Sequence, residues 1–112
     1  MKLIIAGSRT INDFDTVARA LDASGFVPTE IVSGRAPGVD TVGEMLAARL
    51  GLPVKPFPAD WSMGRKAGPI RNGQMAKYAD ALVAVWDGSS SGTQDMISKM
   101  KALGKPVFVF RA

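Results

Sequence analysis

The 112-residue sequence contains no cysteine and no histidine. The lack of cysteine excludes disulfides and thiolate metal sites, and it favours a reducing, cytoplasmic location. The lack of histidine excludes a Ser-His-Asp triad and a His-ligated zinc site, and it leaves no side chain with an ordinary pKa near neutrality. We therefore expect no metal site and no bound cofactor. Any acid–base chemistry would fall to aspartate or glutamate.

Long hydrophobic runs are also missing. No apolar run approaches the roughly 18–20 residues that cross a bilayer, and no basic-then-apolar leader precedes the first strand, so we expect no membrane partner. Hydrophobic residues make up 46% and charged residues 21% of the chain, which is typical of one globular domain over residues 1–112. Lysine and arginine number 14 against 10 acidic residues, so the surface is expected to be basic.

Short apolar runs alternate with helical periodicity along the whole chain. Strands are predicted at residues 2–6, 30–33, 53–57, 81–86 and 106–110, with the third at a sheet edge because prolines interrupt it. Helices are predicted from 12 or 13 to 25, over 39–50, over 69–78 and over 92–104, and a long loop is predicted at 58–68. In the last helix the inward residues are expected to be Met96, Ile97, Met100 and Leu103.

Strict alternation of five strands with four helices predicts right-handed crossovers and a parallel sheet covered on both faces. We expect an α/β fold, a Rossmann-like three-layer αβα sandwich with strand order 3-2-1-4-5. Strands 1 and 4 then meet at the topological switch point. In such sheets the ligand crevice opens at the carboxyl ends of the strands.

One stretch, residues 80–93, indicates the class of ligand. Its apolar strand breaks into a Gly/Ser loop that opens a helix at Gly92 and Thr93, preceded by Ser91. Backbone N–H groups and hydroxyls at the positive end of a helix bind phosphate or carboxylate. The stretch therefore predicts an anion site, without showing whether the ligand is held or also cleaved.

The other loops at the same sheet edge are rich in glycine and arginine. Neither the Gly-x-Gly-x-x-Gly nor the P-loop fingerprint is present. Asp40 is interpreted either as a favourable charge at a helix start or as an acceptor for a sugar hydroxyl. Trp61 is expected to cover a ligand ring, or else to pack under its loop or at a subunit contact, and Trp86 to lie in the core or an interface. Five cations are expected at this edge, consistent with an anion site: Arg9, Arg35, Arg65, Lys66 and Arg71.

Taken together, these residues resemble the SLOG superfamily, the Rossmann-like group that joins the Smf/DprA proteins with the LOG phosphoribohydrolases, and within it the small YspA-type, YpsA-related proteins. The resemblance covers essentially the whole chain. The segments that carry it are Gly7-Ser8-Arg9, Ser33-Gly34-x-Ala36-x-Gly38-x-Asp40, Asp60-Trp61, Ala67-Gly68-Pro69-x-Arg71-Asn72, Asp80, and Ser91-Gly92-Thr93.

The resemblance also bears on catalysis. LOG enzymes use an arginine, matched here by Arg71, and a glutamate to cleave the base from a nucleoside monophosphate. Met96 occupies the position of that glutamate, and a thioether can neither stabilise an oxocarbenium ion nor activate water. Asp95 is adjacent but points about 100° away around the helix. The resemblance therefore implies binding more than hydrolysis.

We expect the chain to bind a nucleotide-derived ligand, such as an ADP-ribose-type molecule or a cyclic nucleotide, as a sensor or sequestering protein. Two alternatives stay open. One is hydrolysis of an N-glycosidic bond with Asp95, Asp40 or Asp60 as the carboxylate. The other is single-stranded DNA binding, less favoured because Trp61 and Tyr78 are too few stacking platforms.

The predicted ligand contacts combine the loops at the carboxyl edge of the sheet. They are Gly7, Ser8, Arg9, Gly34, Arg35, Gly38, Asp40, Asp60, Trp61, Arg71, Asn72, Ser91, Gly92 and Thr93. A homodimer is expected, because the LOG-like relatives are dimers.

Overall fold

Five parallel strands form the centre of the structure, a computed structural model that describes residues 1–112. The strands are β1 (Lys2–Gly7), β2 (Glu30–Ser33), β3 (Val54–Pro56), β4 (Ala81–Trp86) and β5 (Val107–Arg111). All four neighbouring pairs are parallel, and their order is β3-β2-β1-β4-β5. This confirms the predicted α/β fold and strand order.

Helices cover both faces of the sheet. They are α1 (Phe14–Ser24), α2 (Val39–Leu50), α3 (Ala67–Tyr78) and α4 (Ser91–Ala102), and a short 3₁₀ helix (Trp61–Lys66) precedes α3. Alternate residues of a strand point to opposite faces. In β1, Leu3 and Ile5 pack in a cluster with α1 and α2, whereas Ile4 and Ala6 pack in a second cluster with α3 and α4. None of these helices combines the length and hydropathy that a membrane span needs.

Local capping explains where several elements begin and end. The Asp13 carboxylate accepts a hydrogen bond from the Asp15 N–H at the start of α1, and Gly25 ends that helix in the left-handed conformation with a φ of 73°. The second strand and α2 have the predicted bounds. Lys105 donates from Nζ to the carbonyls of Ala76, Lys77 and Ala79, so a lysine closes the carboxyl end of α3.

The segment predicted as a long loop, residues 58–68, is instead largely helical. The Asp60 carboxylate accepts the Ser62 N–H and starts the 3₁₀ helix, and Gly64 kinks it with a φ of 70°. The α3 helix begins at Ala67, two residues before the predicted start. Pro69 does not prevent this, because its position in the first turn needs no N–H donor.

The remaining differences are small except for Leu103. That residue was predicted to face the core, but α4 ends at Ala102 and Leu103 is half exposed at the helix terminus. Met96, Ile97 and Met100 are buried as predicted. At the strand ends, β1 extends one residue further than predicted, β5 begins and ends one residue later than predicted, and β3 is shorter by one residue at both ends.

Candidate functional site

Two adjoining cavities lie at the carboxyl edge of the sheet, the first at the ends of β1 and β4 and the second beside the segments that follow β2 and β3. The first, here called the narrow cavity, has a volume of about 70 Å³, and the second, the wide cavity, about 340 Å³. Arg9, Ala36 and Arg71 line both, so the two form one cleft. This is the switch point where the predicted crevice was expected. No group of three or more acidic side chains that could hold a metal ion occurs in the structure.

The amino end of α4 forms one wall of the narrow cavity. Ser90 caps the helix by accepting the Thr93 N–H on its hydroxyl oxygen, and the first intrahelical hydrogen bond runs from the Gln94 N–H to the Ser90 carbonyl. The N–H groups of Ser91 and Gly92 therefore have no partner within the helix. They carry the positive end of the helix dipole toward the cavity wall.

The loop before α4 is held rigidly. The Asp87 carboxylate accepts the N–H groups of Ser89 and Ser90 at 2.8 and 3.0 Å, and these bonds lower the pKa of Asp87. Trp86 donates from its indole N–H to the Ser90 carbonyl at 3.1 Å, and the Ser8 hydroxyl oxygen accepts the Asp87 N–H at 3.0 Å. The helix terminus is thus fixed before any ligand arrives.

Asp40 is the carboxylate that lines the narrow cavity. It is only 5% exposed, and its Oδ2 accepts the Ala36 N–H at 3.2 Å. The other oxygen, Oδ1, has no hydrogen-bond partner. Every fully buried side-chain oxygen in the structure has such a partner, so Oδ1 is not fully buried and is accessible from the cavity that Asp40 lines. Burial raises the pKa of Asp40 to about 6, opposed by the Ala36 hydrogen bond and by the nearby charge of Arg71.

Arg71 and Asn72 tie α3 to the loops around the cleft. Arg71 donates to the Gly34 carbonyl and, through Nε, to the Asn72 amide oxygen at 3.0 Å. The Asn72 amide group donates to the Gly92 carbonyl at 3.3 Å and to the Asp95 carboxylate at 2.9 Å. Burial lowers the pKa of Arg71. Both amide hydrogens of Asn72 are used within the protein, so this side chain orients Arg71 and α4.

The polar side chains that line the wide cavity are those of three arginines and Trp61. Arg35 has a φ of 62° and is the non-glycine residue with positive φ. The Ser33 hydroxyl oxygen accepts the Arg35 N–H, and the Arg35 guanidinium lies 3.4 Å from Glu44. Trp61 is 59% exposed at the rim. This half of the cleft is open and cationic.

Two glycines are needed where segments approach closely. A Cβ at Gly34 would lie 2.8 Å from both the Arg71 guanidinium and the Asp40 carboxylate. Gly38 has a φ of 81°, and a Cβ there would lie 2.5 Å from the carbonyl oxygens of Ser8 and Arg9. The Gly34–Gly38 segment can therefore pack directly against the side chains of Arg71 and Asp40 and against the backbone at Arg9.

The structure places most of the predicted contact residues around the cleft. Those that line it are Gly7, Arg9, Gly34, Arg35, Asp40, Trp61, Arg71, Asn72, Gly92 and Thr93. Those that line neither cavity are Ser8, Gly38, Asp60, Ser91 and the catalytic candidate Asp95.

Most of the residues outside the cleft have a structural partner. Ser8 and Gly38 hold their loops together, and Asp60 caps the 3₁₀ helix. Ser91 follows the capping residue Ser90, and its backbone N–H makes no hydrogen bond within the helix. The Asp95 carboxylate is paired with Lys99 and Asn72, so it is not free in the cleft.

Other residues differ from expectation or were missed. Arg65 and Lys66 lie on the exposed 3₁₀ helix outside both cavities, and Tyr78 donates its hydroxyl to Glu30 at the start of β2, away from the cleft. Ser90 was missed because three consecutive serines precede Gly92 and only the folded loop selects the cap. Glu44, which pairs with Arg35, carried no signal in the sequence.

Comparison with solved structures supports the fold. The X-ray structure of DNA processing protein A (DprA) from Streptococcus pneumoniae superposes with a TM-score of 0.78 at 18% identity. The match covers 96% of this chain and 49% of that one, so the chain spans about half the length of this relative. At this identity the likeness shows the Rossmann-like fold alone. No curated protein sequence matches the chain.

A family model identifies the group to which the sequence belongs. The model for the YspA, cpYpsA-related SLOG family matches residues 1–64, more than half of the chain. That range contains Gly7-Ser8-Arg9, the Gly34–Asp40 loop and Trp61, three of the segments that carry the resemblance. The chain therefore belongs to the YspA, cpYpsA-related SLOG family.

Proposed function

We propose that this protein binds a nucleotide-derived ligand whose phosphate occupies the narrow cavity. The observation that carries the proposal is the meeting of three features in one cleft. These are the unpartnered N–H groups at the start of α4, the guanidinium groups of Arg9 and Arg71, and the open oxygen of the buried Asp40.

The narrow cavity suits one phosphoryl group. Its volume of about 70 Å³ is too small for a base in addition. Gly92 and Thr93 at the start of α4 line it, the Gly92 N–H has no partner within the helix, and Arg9 and Arg71 add two positive charges. Charge-assisted hydrogen bonds of this kind are shorter and stronger than neutral ones.

Asp40 argues for a sugar phosphate over free phosphate. A carboxylate beside an anion is repulsive unless it accepts a hydrogen bond from the same ligand. The accessible Oδ1 of Asp40 is suited to accept from a sugar hydroxyl, and the exposed indole of Trp61 then offers a surface for a base in the wide cavity. The protein would act as a sensor or a sequestering protein for this ligand.

A charge substitution at Gly92 tests the proposal. A Cβ at Gly92 meets no atom within 4 Å, so both Gly92→Glu and the neutral, equally large Gly92→Gln should fold normally. Titration calorimetry of nucleoside monophosphates, cyclic nucleotides, ADP-ribose and a single-stranded oligonucleotide should find a nucleotide with a Kd well below about 1 mM. Gly92→Glu should weaken it by roughly a hundredfold and Gly92→Gln by much less.

Three results would contradict the proposal. One is that no nucleotide binds to the wild-type protein. Another is that Gly92→Glu binds as well as Gly92→Gln. The last is that only the oligonucleotide binds, with a steep salt dependence, which would instead favour single-stranded DNA binding as the name of the DprA relative invites.

The second candidate function is hydrolysis of an N-glycosidic bond, and the position of Asp40 favours it. Asp40 is buried in the cleft with a pKa raised to about 6, which suits a general acid, while Met96 lines the cavity where the resemblance implies a glutamate. Chromatography of nucleoside monophosphates incubated with the protein would detect released base. Asp40→Asn should abolish any release, and Asp95→Asn should not.

We also propose that the protein is a cytoplasmic homodimer. Support comes from the absence of cysteine and from exposed apolar side chains on α2, where Met45 is 55% and Leu50 50% exposed. Native mass spectrometry should give the mass of two chains and reveal any ligand that copurifies. A single-chain mass at micromolar concentration would contradict the dimer.

A further inference from the structure

The side chains of the wide cavity show an imbalance between hydrogen-bond donors and acceptors. Its polar side chains are the guanidinium groups of Arg9, Arg35 and Arg71 and the indole of Trp61, and every one of them only donates hydrogen bonds. No carboxylate, amide or hydroxyl side chain lines it. The Gly34 carbonyl at its wall already accepts from Arg71.

The three arginines differ in how far the fold itself uses them. Arg71 is committed to the Gly34 carbonyl and to Asn72, and Arg35 forms an exposed ion pair with Glu44. Arg9 makes neither a hydrogen bond nor an ion pair through its side chain, although it lines both cavities. The fold therefore does not need the Arg9 guanidinium, which is free to bind an external anion.

From this imbalance we infer that the wide cavity binds a second phosphoryl group, so that the ligand of the cleft is a nucleotide with two phosphoryl groups. This inference rests on the proposed function, because the first phosphate is the one in the narrow cavity. Donor-only surfaces with forked guanidinium groups match phosphoryl oxygens, which only accept. Sugar hydroxyls and exocyclic amino groups would find no side-chain acceptor there.

Charge supports the same occupant. Around the cleft, three guanidinium groups and the start of α4 face the carboxylates of Asp40 and Glu44, so positive charge is in excess before a ligand binds. A monophosphate in the narrow cavity would lie beside Arg9 and Arg71 and would leave Arg35 with Glu44 as its anionic partner. The wide cavity has a volume of about 340 Å³, which accommodates a second phosphoryl group, and the face of Trp61 is available to the remainder of the ligand.

The chemistry is shared by two kinds of ligand, and the test separates them. In a nucleoside diphosphate the two phosphoryl groups are joined, whereas in a nucleoside 3′,5′-bisphosphate they stand on opposite sides of the ribose. AMP, ADP and adenosine 3′,5′-bisphosphate are titrated into the wild-type protein at about 0.15 M salt without divalent cations. We expect one of the last two to bind roughly tenfold or more tightly than AMP.

Arg35→Gln is the most specific variant, because Arg35 lines only the wide cavity. It should remove most of the advantage of the second phosphoryl group and weaken AMP by a smaller factor than ADP or the bisphosphate. Arg9→Gln should weaken all three ligands, and ADP or the bisphosphate by a larger factor. Arg19→Gln, on the exposed face of α1 far from the cleft, is the matched control and should change nothing.

The outcomes separate this inference from the proposed function. If AMP binds and Gly92→Glu abolishes its binding, but ADP and the bisphosphate bind no more tightly, the second phosphoryl site is refuted and the proposed function stands. Retention of the full advantage in Arg35→Gln refutes it as well. If none of the three ligands binds, the proposed function and the inference both fail.

Discussion

The two halves of the cleft are built in opposite ways. Side chains of the narrow cavity are buried and joined by hydrogen bonds that also hold the fold, as in the chain from Arg71 through Asn72 to Asp95. The polar side chains that line only the wide cavity, Arg35 and Trp61, are exposed, and Trp61 stands on a 3₁₀ helix with no buried residue. Substitutions of the hydrogen-bonded side chains Arg71 and Asn72 should therefore change stability, whereas substitution of Trp61 should change binding alone.

The largest effect on stability should come from disrupting the close contact between Gly38 and the backbone of Ser8 and Arg9. In Gly38→Ala, the new Cβ would lie 2.5 Å from the Ser8 and Arg9 carbonyl oxygens at a residue with a φ of 81°. We expect a loss of more than about 3 kcal/mol in the free energy of unfolding, measured with urea. Gly92→Ala, where a Cβ meets open space, is the control and should change it by less than about 1 kcal/mol. Equal urea midpoints of unfolding for the two variants would show that the contact at Gly38 tolerates a side chain.

The next effect depends on pH and concerns Asp40. Because its pKa is raised to about 6 in the folded protein, the folded state holds the Asp40 proton more strongly than the unfolded chain does. This contribution to stability is complete below pH 4 and is lost as the pH rises through about 6. Asp40→Asn should therefore be more stable than the wild type by up to about 3 kcal/mol at pH 7.5, with the difference vanishing near pH 4.

Urea unfolding of both proteins across that pH range measures the Asp40 difference. Subtracting one curve from the other removes the contributions of the other carboxyl groups, which the two proteins share. A difference that does not change between pH 4 and 7.5 would show that burial does not perturb this carboxyl group.

A smaller effect is expected for the link between α3 and α4. Asn72→Asp places a second carboxylate beside Asp95 and removes the donor to the Gly92 carbonyl, which should cost about 2 kcal/mol in the free energy of unfolding. Adding Asp95→Asn exchanges donor and acceptor and should restore about half of that loss. If the double variant is no more stable than the sum of the single ones predicts, the Asn72–Asp95 bond is not a coupled pair.

The smallest effect should lie in the wide cavity. Trp61→Ala should leave the free energy of unfolding within about 0.5 kcal/mol, because Trp61 is mostly exposed, and weaken nucleotide binding by about 1 kcal/mol, roughly fivefold in Kd. Binding is followed by calorimetry. The chain has two tryptophans, so the variant Trp86→Phe keeps only Trp61, and its tryptophan fluorescence then reports on the wide cavity alone. A nucleotide that binds without changing that fluorescence would contradict stacking on Trp61.

Much of this arrangement could be predicted because it depends on local pattern. Apolar strands alternating with amphipathic helices determine a parallel sheet, and the order 3-2-1-4-5 brings the loops after β1, β2 and β4 to one edge. The end of α1 at Gly25 was predicted, and its start was narrowed to residue 12 or 13, of which Asp13 is the cap, since the chemistry of caps involves neighbours in sequence. Leu103 was misread because helical periodicity continues past the residue where the helix ends.

The roles of individual side chains in the cleft could not be predicted in this way. Asn72 was expected to touch the ligand, yet both hydrogens of its amide group bond to Gly92 and Asp95, 20 and 23 residues away along the chain. Asp95 was a catalytic candidate by its position, but pairing with Lys99 and Asn72 keeps it out of the cleft. Ser8 carries a hydroxyl at the right edge of the sheet, and the loop after β4 occupies that hydroxyl.

The sequence by itself determined the fold, the edge of the sheet where a site forms and its positive charge, because these follow from the periodicity of apolar residues and the order of the loops. Only the tertiary structure decided that Ser90 caps α4, that Asp40 is buried with one oxygen open, and that Arg9 is left without a partner. The reason is physical. Whether a polar group is free or satisfied depends on which donors and acceptors of distant segments meet it, and that is settled only when the loops pack together.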